Sequence, residues 1–562
     1  MELTLIAVAG VISIVAVAAF SERLGLAAPL GLVIVGIGLS FVPGVPRIDV
    51  APEVVLTGVL PPLLYAAAVN MPATDFRRNI KSISGLAVLL VAGTTLGAGW
   101  LFHALLPGIG WPTAFALGAV VSPTDAVAAT AVGRRLGLPS RLLAVLEGEG
   151  LVNDASALVL LRSAVAAIAG SVSMGGLVWD FVKAVGIAVA VGLVVGYVNV
   201  RIRGLLHDGV LNTAISFVVP FIAFLPAEEL RASGVLSVVV AGLVSGELSP
   251  RFVRATDRMT ERMNWRTLAF LLESAIFLLM GLGLRSLIDD VREEHLSPWT
   301  GLGVGLAASA AVIVLRIGFV APLIGVLHKD RRRAEQAKPR VERIKSRIDE
   351  HDLTERFSPR QADRITRRVG RVAADIEFEL NEALGWRGGV VLAWSGMRGA
   401  ITVAAAETLP VDVAQRPQLV LVATVVAITT LLVNGLTLPL VIRAVRIPGD
   451  DQDRIRAEYT ELMAVLTAAG QDYLDDPGLD ADPQVVAEIR ERFGQPPRDA
   501  DQAARDELRD EYLRVTLGVL EAEQQRLFRA RSEGGYSSRT LSGLQRRLDI
   551  QTATMQRIGD SE

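Results

Sequence analysis

Apolar positions along this chain come in long runs, unlike the short, interrupted runs of a soluble domain. Runs of roughly twenty residues, the length of a bilayer-spanning helix, recur from the N-terminus and include 3–20, 82–102 and 301–315. The helices of one soluble domain would carry polar faces in these stretches. The pattern therefore predicts an all-α polytopic membrane protein over residues 1–446.

Counting the runs predicts about thirteen transmembrane helices. They lie near 2–20, 25–42, 51–70, 82–105, 112–133, 142–170, 176–200, 211–227, 233–247, 265–289, 298–327, 386–409 and 417–446. Arginine and lysine concentrate in one set of alternate loops, as at Arg77, Arg78 and Lys81, whereas the opposite loops hold few. By the positive-inside rule the first set is cytoplasmic. We therefore expect a multi-pass protein of the plasma (inner) membrane with the N-terminus outside and the C-terminal tail inside.

Two polar segments interrupt or follow the apolar runs. Residues 329–385 hold fifteen Lys or Arg and twelve Asp or Glu, which predicts one or two solvated helices. In the polar tail, Leu513, Leu517, Leu520 and Leu527 recur at helical spacing. The expected organisation is a transmembrane domain at 1–328, a charged cytoplasmic insert at 329–385, the last two transmembrane helices at 386–446, and a cytoplasmic helical tail at 447–562.

Composition excludes several classes of chemistry. The chain has no cysteine, so disulfides, zinc–thiolate sites and thiol catalysis are excluded. Its five histidines show no metal-ligand spacing. The net charge of −3 gives no indication of nucleic-acid binding, and no phosphate-binding loop of the GxxxxGK[ST] type is present. We expect no enzymatic activity, no cofactor, and no nucleotide or nucleic-acid partner.

The segment "VVSPTDAVAATAV", residues 120–132, carries the first group of ionisable or helix-breaking residues inside a predicted span. Pro123 lacks an amide hydrogen and breaks or kinks a helix. Ser122, Pro123 and Asp125 resemble a helix start, with Ser122 as the N-cap. Asp125 is then expected at a mid-membrane helix N-terminus, where the dipole favours its ionised form. The alternative is that Asp125 only caps a kink.

The segment "EGEGLVNDASALVL", residues 147–160, carries the second group. Glu149 and Asn153 are four residues apart and share one helix face. Asp154 lies about 100° further around the helix. Asn153 can both donate and accept, so it can orient a neighbouring carboxylate. For Glu149 and Asn153, packing between helices stays an alternative to ion binding.

The segment "WSGMRGAITVAAA", residues 394–406, carries the third group. Gly396 and Gly399 flank Arg398 in a stretch that can unwind or admit another helix closely. An unpaired arginine is costly in a membrane, so Arg398 needs a carboxylate partner. We expect Glu149 to be that partner.

The order of the spans relates these groups. Spans five and six are joined by a short turn, so Asp125 and Asp154 are expected to share one cavity near mid-membrane. The interrupted spans five and twelve correspond if spans 1–6 and 8–13 form two inverted six-helix repeats, an arrangement that places a transporter site at the repeat interface. Carboxylate oxygens suit a small hard cation such as Na⁺, and they also bind protons. Competition between the two predicts antiport.

The three motifs, in this order and spacing, resemble the bacterial cation:proton antiporters of the monovalent cation:proton antiporter-1 family. The resemblance covers about residues 1–446. It implies two crossed broken helices, a six-helix transport domain, a dimerisation domain, homodimers and elevator-like movement. It also implies exchange of Na⁺ or Li⁺ for H⁺, with the Asn-Asp pair indicating electroneutral one-for-one exchange.

The resemblance also implies roles for individual residues. The cation and proton site falls on Thr124, Asp125, Asn153 and Asp154, with Asp154 as the principal carrier. The structural ion pair falls on Glu149 and Arg398, and accessory roles fall on Ser122 and Glu273.

Two departures from the family pattern leave cation preference open. Ala66 stands where many relatives have a carboxylate, and Gly150 stands where many have serine. Both positions can supply ligands or waters to a cation, so Na⁺, Li⁺ and K⁺ stay alternatives. A K⁺/H⁺ antiporter with the same mechanism, a cation channel and a non-transporting scaffold are the competing interpretations.

Overall fold

The computed structural model describes residues 2–559 except 25, 44, 46–49, 171–173, 207, 351–357, 383 and 492–505. Regular structure among these residues is helical, with an isolated β-bridge between Asp125 and Met397. The prediction of an all-α membrane fold is confirmed.

Within the described ranges, nineteen α-helices precede the tail and four form it. The first nineteen are α1 (Glu2–Leu24), α2 (Ala28–Ser40), α3 (Leu60–Asn70), α4 (Ala73–Arg78), α5 (Ile80–Ser84), α6 (Val91–Leu105), α7 (Trp111–Val120), α8 (Ala126–Arg135), α9 (Ser140–Ala169), α10 (Met174–Arg203), α11 (Gly209–Glu229), α12 (Gly234–Phe252), α13 (Ala255–Leu282), α14 (Leu284–Glu293), α15 (Pro298–Glu350), α16 (Pro359–Asn381), α17 (Trp386–Trp394), α18 (Ala400–Glu407) and α19 (Arg416–Val445). The tail consists of α20 (Gln452–Leu474), α21 (Pro483–Glu491), α22 (Asp506–Glu533) and α23 (Ser538–Gly559). π-Helical turns lead into α3 over Val54–Val59 and into α6 over Gly85–Leu90.

Apolar helices recur along the chain from Val8 to Val445. Eight helical segments among the described residues are long and apolar enough to span a bilayer. Shorter apolar helices lie at Val8–Ser21, Ala28–Ser40, Val54–Asn70 and Trp111–Val120. Because the shorter helices cannot be assigned as spans by length alone, the number thirteen stays a prediction.

The membrane helices pack as two bundles. The crossing bundle consists of α5–α9, α15 and α17–α19, and the lateral bundle consists of α1–α3 and α10–α13. Within the lateral bundle, α2 and α13 approach so closely that a Cβ added to Gly36 would lie 2.5 Å from the Leu278 carbonyl oxygen. The bundles meet where α9 packs on α3 and α12, and where α18 packs on α13. A site on α9 or α18 therefore lies near the boundary between the bundles.

The charged insert forms a helical hairpin. Helix α15 continues without a break through the expected boundary at residue 328 as far as Glu350. Helix α16 packs against α15 and also contacts α22 of the tail. Ser358 and Gln361 form a capping box at the start of α16. The insert is thus an extension of a membrane helix and a second helix that packs on it.

The tail has its own apolar core. Leu462 and Leu466 of α20, Leu520 and Leu527 of α22, and Leu544 of α23 are buried together. The amphipathic helix that the leucine spacing predicted is α22. A smaller apolar cluster joins α21 to α20 and α22.

The tail packs against both bundles on one side of the membrane part, which we call the tail side. Arg258 of α13 forms a buried ion pair with Asp549 of α23, and Gln524 of α22 donates to the Pro250 carbonyl of α12. On the crossing bundle, the Ser140 amide at the start of α9 donates to Asp450 over 3.0 Å. The tail therefore connects two groups of helices that otherwise meet only along their shared boundary.

Glu382, which ends α16, lies in this region. Burial, as the largest cause, and the negative charges of Asp75 and Asp450 raise the pKa of the Glu382 carboxyl to about 7, while Arg141 and Arg454 oppose the shift. The folded state therefore holds the Glu382 proton more tightly than the unfolded chain, whose pKa is that of an ordinary glutamate. This contribution is fully present at a pH below the unfolded value and is lost as pH rises through about 7.

We expect the thermal stability of the full-length protein to fall between pH 5 and pH 7.5, and the fall to be smaller in Glu382→Gln, because the amide does not ionise. Thermal unfolding in detergent across this pH range measures it. Glu377→Gln, at an exposed position of the same helix, should keep the wild-type slope. Equal slopes in wild type and Glu382→Gln would contradict this assignment.

Candidate functional site

Two membrane helices are interrupted at the centre of the crossing bundle. Helix α7 ends at Val120 and α8 begins at Ala126, with Pro123 in the gap. The N-cap of α8 is Asp125, whose Oδ1 accepts the Val127 amide over 2.8 Å. The expectation that Ser122 caps this helix is wrong, since its hydroxyl donates to the Ala119 carbonyl of α7 over 2.8 Å. The helix begins three residues later than the Ser-Pro pattern suggests.

The second interruption lies between α17, which ends at Trp394, and α18, which begins at Ala400. The two breaks pair with each other, because the Asp125 amide donates to the Met397 carbonyl over 2.7 Å. A Cβ added to Gly399 would collide with the Asp125 carboxylate. Glycine at this position therefore lets one break approach the acidic side chain of the other.

Arg398 is fully buried at the second break and serves the backbone there. Its Nε donates to the Val121 carbonyl over 3.1 Å and its Nη1 to the Gly396 carbonyl over 2.6 Å. Both carbonyls belong to the interrupted segments, where no helical amide reaches them. The guanidinium thus replaces hydrogen bonds that the breaks remove.

The expected ion pair between Glu149 and Arg398 is wrong in its basic partner. Glu149 forms a bidentate, fully buried pair with Arg316 of α15, with Nη2 at 2.8 Å from Oε2. The Nε of Arg316 also donates to the Leu392 carbonyl of α17 over 3.1 Å. The physical reason is that Arg398 is already engaged by main-chain oxygens, while the planar fork of Arg316 fits the carboxylate. The pair joins α9, α15 and α17.

Thr124 and Asn153 link this ion pair to the first break. The Thr124 hydroxyl donates to Glu149 Oε1 over 2.5 Å. Asn153 Nδ2 donates to the Thr124 carbonyl over 2.6 Å and to its hydroxyl over 3.0 Å. Asn153 therefore supports the break rather than orienting a carboxylate directly. Its Oδ1 is buried and has no hydrogen-bond partner among the described residues.

Three carboxylates near the crossing interact electrostatically. Asp154 is buried on α9 and Asp125 is half-buried at the break, and the two interact electrostatically. Glu273 of α13 also interacts electrostatically with Asp125. Within the described part of the chain, Asp154 and Glu273 form no ion pair or hydrogen bond through their carboxylates. Asp125 and Asp154 are thus electrostatic neighbours, while their sharing of one cavity stays a prediction, and Glu273 adds an acidic group from the lateral bundle.

The two positions that depart from the family pattern are tightly packed. A Cβ added to Gly150 would lie 2.8 Å from the Cβ of Ala126, so a side chain there requires α8 and α9 to separate. Ala66 is buried in α3 within the apolar core that α3 shares with α9 and α12. Neither residue carries a side-chain oxygen that could bind a cation.

Sequence reasoning missed Arg316 and the polar groups of α19. Arg316 interrupts the apolar run of α15, and that isolated charge is the signal that could have identified it. On α19, Thr430 Oγ1 accepts the Arg398 amide over 3.1 Å and Asn434 donates to the Gly396 carbonyl over 3.2 Å. These two residues hold the second break from the opposite side.

We expect Arg316→Ala to destabilise the protein strongly, by about 3–5 kcal/mol, because it leaves the Glu149 carboxylate buried without its counter-charge. Adding Glu149→Ala should recover part of this loss. A double-mutant cycle by thermal or denaturant unfolding in detergent measures the coupling.

The cycle between Glu149→Ala and Arg398→Ala is the matched control, because both arginines are fully buried at the same crossing. Its coupling should be weaker than that between Glu149 and Arg316. A stronger coupling with Arg398 would restore the pairing that the structure contradicts.

The chain is similar to a known family of proteins. The family described as "Sodium/hydrogen exchanger, transmembrane" matches residues 10–444. An uncharacterized Na⁺/H⁺ exchanger of Mycobacterium tuberculosis is 29% identical over 575 aligned residues, which cover 99% of this chain and 96% of that protein. The Na⁺/H⁺ antiporter ApNhaP of Aphanothece halophytica is 28% identical, with 78% of this chain and 73% of that protein covered.

A solved structure shares the fold. The sodium proton antiporter MjNhaP1 from Methanocaldococcus jannaschii superposes with a TM-score of 0.55 at 17% identity, covering 79% of this chain and 99% of that chain. The predicted resemblance to the cation:proton antiporters is confirmed. The chain therefore belongs to the sodium/hydrogen exchanger family, as a multi-pass membrane protein among cation/proton antiporters.

Proposed function

We propose that this protein exchanges Na⁺ or Li⁺ for H⁺ across the plasma membrane, one for one and without a cofactor. The observation that carries the proposal is the pair of membrane aspartates, Asp125 and Asp154, beside two crossed helix breaks in a chain of this family. The relatives ApNhaP and MjNhaP1 are both named as sodium/proton antiporters, which supports the choice of ions.

Exchange is explained by one buried negative charge that either a proton or a cation can neutralise. Burial disfavours an ionised carboxylate, so Asp154 gains stability from either a proton or a cation. Oxygen ligands suit a small hard cation. Because the nearby arginines are held by Glu149 and by main-chain carbonyls, no fixed positive charge among the described residues neutralises Asp154. A bound cation therefore displaces the proton, and the reverse holds on the other side.

Each site residue has a separate role in this proposal. Asp154 is the principal carrier, and Asp125 adds a second carboxylate while capping α8. Thr124 and Asn153 hold the break at the cation site, and Asn153 Oδ1 is free to face an ion or a water. Glu149 keeps a structural role, now with Arg316, while Arg398 secures the break. Ser122 and Glu273 are accessory.

Alternating access is proposed as movement of the crossing bundle against the lateral bundle. The carboxylates lie at their boundary, with Asp125 and Asp154 on one bundle and Glu273 on the other, which supports this division. We also propose a homodimer, an outward N-terminus and a cytoplasmic tail. The basic residues Arg78, Arg141 and Arg258 all contact the insert or the tail, which supports a cytoplasmic location for the tail side.

We expect Asp154→Asn to abolish cation-dependent proton movement while leaving the protein folded, because an amide neither binds the proton nor supplies the negative charge. Fluorescence dequenching of a pH-sensitive dye in inverted vesicles measures it. Glu147→Gln is the matched control: this carboxylate lies on the same helix, pairs with Arg134, and should retain exchange. Full activity in Asp154→Asn would refute the mechanism.

The same vesicles separate the cation preferences. Dequenching with Na⁺ and Li⁺ but not with K⁺ supports the proposal, whereas an equal or larger response to K⁺ indicates a K⁺/H⁺ antiporter. In proteoliposomes, one-for-one exchange should not respond to an imposed membrane potential. Currents far above carrier turnover and insensitive to a proton gradient would instead indicate a channel.

A further inference from the structure

A polar cavity lies on the tail side, away from the crossing. It has a volume of about 340 Å³, within the roughly 300–1,000 Å³ range of small-ligand sites. The membrane part contributes the end of α3 at Asn70, the end of α12 at Pro250, and Arg262 of α13. The tail contributes residues of α22 and α23. The tail and the membrane part therefore form the cavity together.

Three arginines from three different helices line this cavity. They are Arg262 of α13, Arg531 of α22 and Arg546 of α23. Among the residues that the structure describes, no carboxylate lies within the 4.0 Å ion-pair distance of these three guanidinium groups. Like charges brought together by two parts of the chain repel each other unless an anion lies between them.

The preceding turn of α13 differs, because its arginine has a carboxylate partner. Arg258, four residues before Arg262, receives a carboxylate from the tail, Asp549, in a buried ion pair. One turn further along α13, Arg262 lines the same cavity as Arg531 and Arg546 of the tail. The tail therefore satisfies Arg258, whereas Arg262 and Arg546 are exposed, Arg531 is half-buried, and the three line one cavity that has a place for an anion from outside the chain.

The other polar groups of the cavity fit an anion with several acceptor oxygens. Ser542 and Asn70 line it and carry hydrogen-bond donors. Glu247 is the carboxylate among the lining residues and is half-buried. Three arginines against one glutamate leave a net charge of +2, which matches a phosphate group, and arginine forks bind phosphate oxygens in bidentate fashion.

We propose that this cavity binds a phosphate group that bridges the tail to the lateral bundle. Its position at the tail-side ends of α3 and α12 places it at the level where lipid headgroups meet the protein, and basic pockets between membrane helices bind such headgroups. A phospholipid headgroup and free phosphate share this chemistry. The inference does not rest on the transported cation or on the exchange mechanism.

The test uses the full-length protein in detergent and measures thermal stability on titration with phosphatidylglycerol or with inorganic phosphate. Phosphatidylcholine and chloride at matched ionic strength serve as blanks. The wild type should be stabilised, and Arg262→Gln/Arg531→Gln/Arg546→Gln should bind at least about tenfold more weakly, because it loses several charge-assisted hydrogen bonds.

The matched control is Arg266→Gln/Arg529→Gln/Arg557→Gln. These three arginines are exposed, lie on the same three helices and do not line the cavity. This variant loses the same charge and should bind as the wild type does. The charge-preserving variant Arg262→Lys/Arg531→Lys/Arg546→Lys should retain part of the response, which separates loss of binding from loss of folding.

The two titrations distinguish a lipid headgroup from free phosphate as the source of the bound phosphate group. Stabilisation by phosphatidylglycerol alone assigns the site to a lipid headgroup, and stabilisation by inorganic phosphate as well assigns it to the phosphate group in either form. The proposal is overturned if neither additive stabilises the wild type, or if the two glutamine variants respond alike.

Discussion

Two interrupted helices inside a membrane must find partners for backbone groups that no longer bond within a helix, and the site is arranged around that requirement. The breaks pair with each other through the Asp125 amide and the Met397 carbonyl. Arg398, Thr430 and Asn434 supply further donors and acceptors. Non-helical backbone at membrane depth survives only where the protein satisfies it.

The same requirement determines which charged side chains at the crossing have fixed partners. Arg398 is held by carbonyls at the breaks, and Arg316 is held by Glu149. Both arginines of the crossing are therefore committed, while Asp154 has no fixed counter-charge among the described residues. A mobile ion is then the natural way to neutralise Asp154, and the structural and transporting roles fall on different carboxylates of the same helix, Glu149 and Asp154.

Much of the site could be predicted because its signals are local. Pro123 marks a helix break, and polar residues in apolar spans mark the helices that meet there. The partner of Glu149 could not be chosen from sequence, since Arg316 and Arg398 are both isolated arginines in apolar segments. The choice depends on which guanidinium the freed carbonyls occupy, and that is known only once the helices are packed. The prediction that Ser122 caps α8 was wrong for a similar reason, because the break is longer than the Ser-Pro pattern implies.

Packing between separate parts of the chain could not be predicted from the sequence either. The leucine spacing predicts an amphipathic helix in the tail, yet nothing local indicates that Asp549 would pair with Arg258. The packing role of Gly150 could not be predicted either, because the sequence alone indicates only that a hydroxyl ligand is missing there. In the structure Gly150 lets α9 approach Ala126, so the missing hydroxyl is also a condition for the close contact of α8 and α9.

The claim at the centre of this account is that a cation and a proton compete for the same aspartates. It is tested most directly by counting protons released when Na⁺ is added to the purified protein in weakly buffered detergent solution. The account predicts release of about one proton per bound Na⁺ in the wild type and none in Asp154→Asn. Cation binding by the wild type without proton release would contradict it.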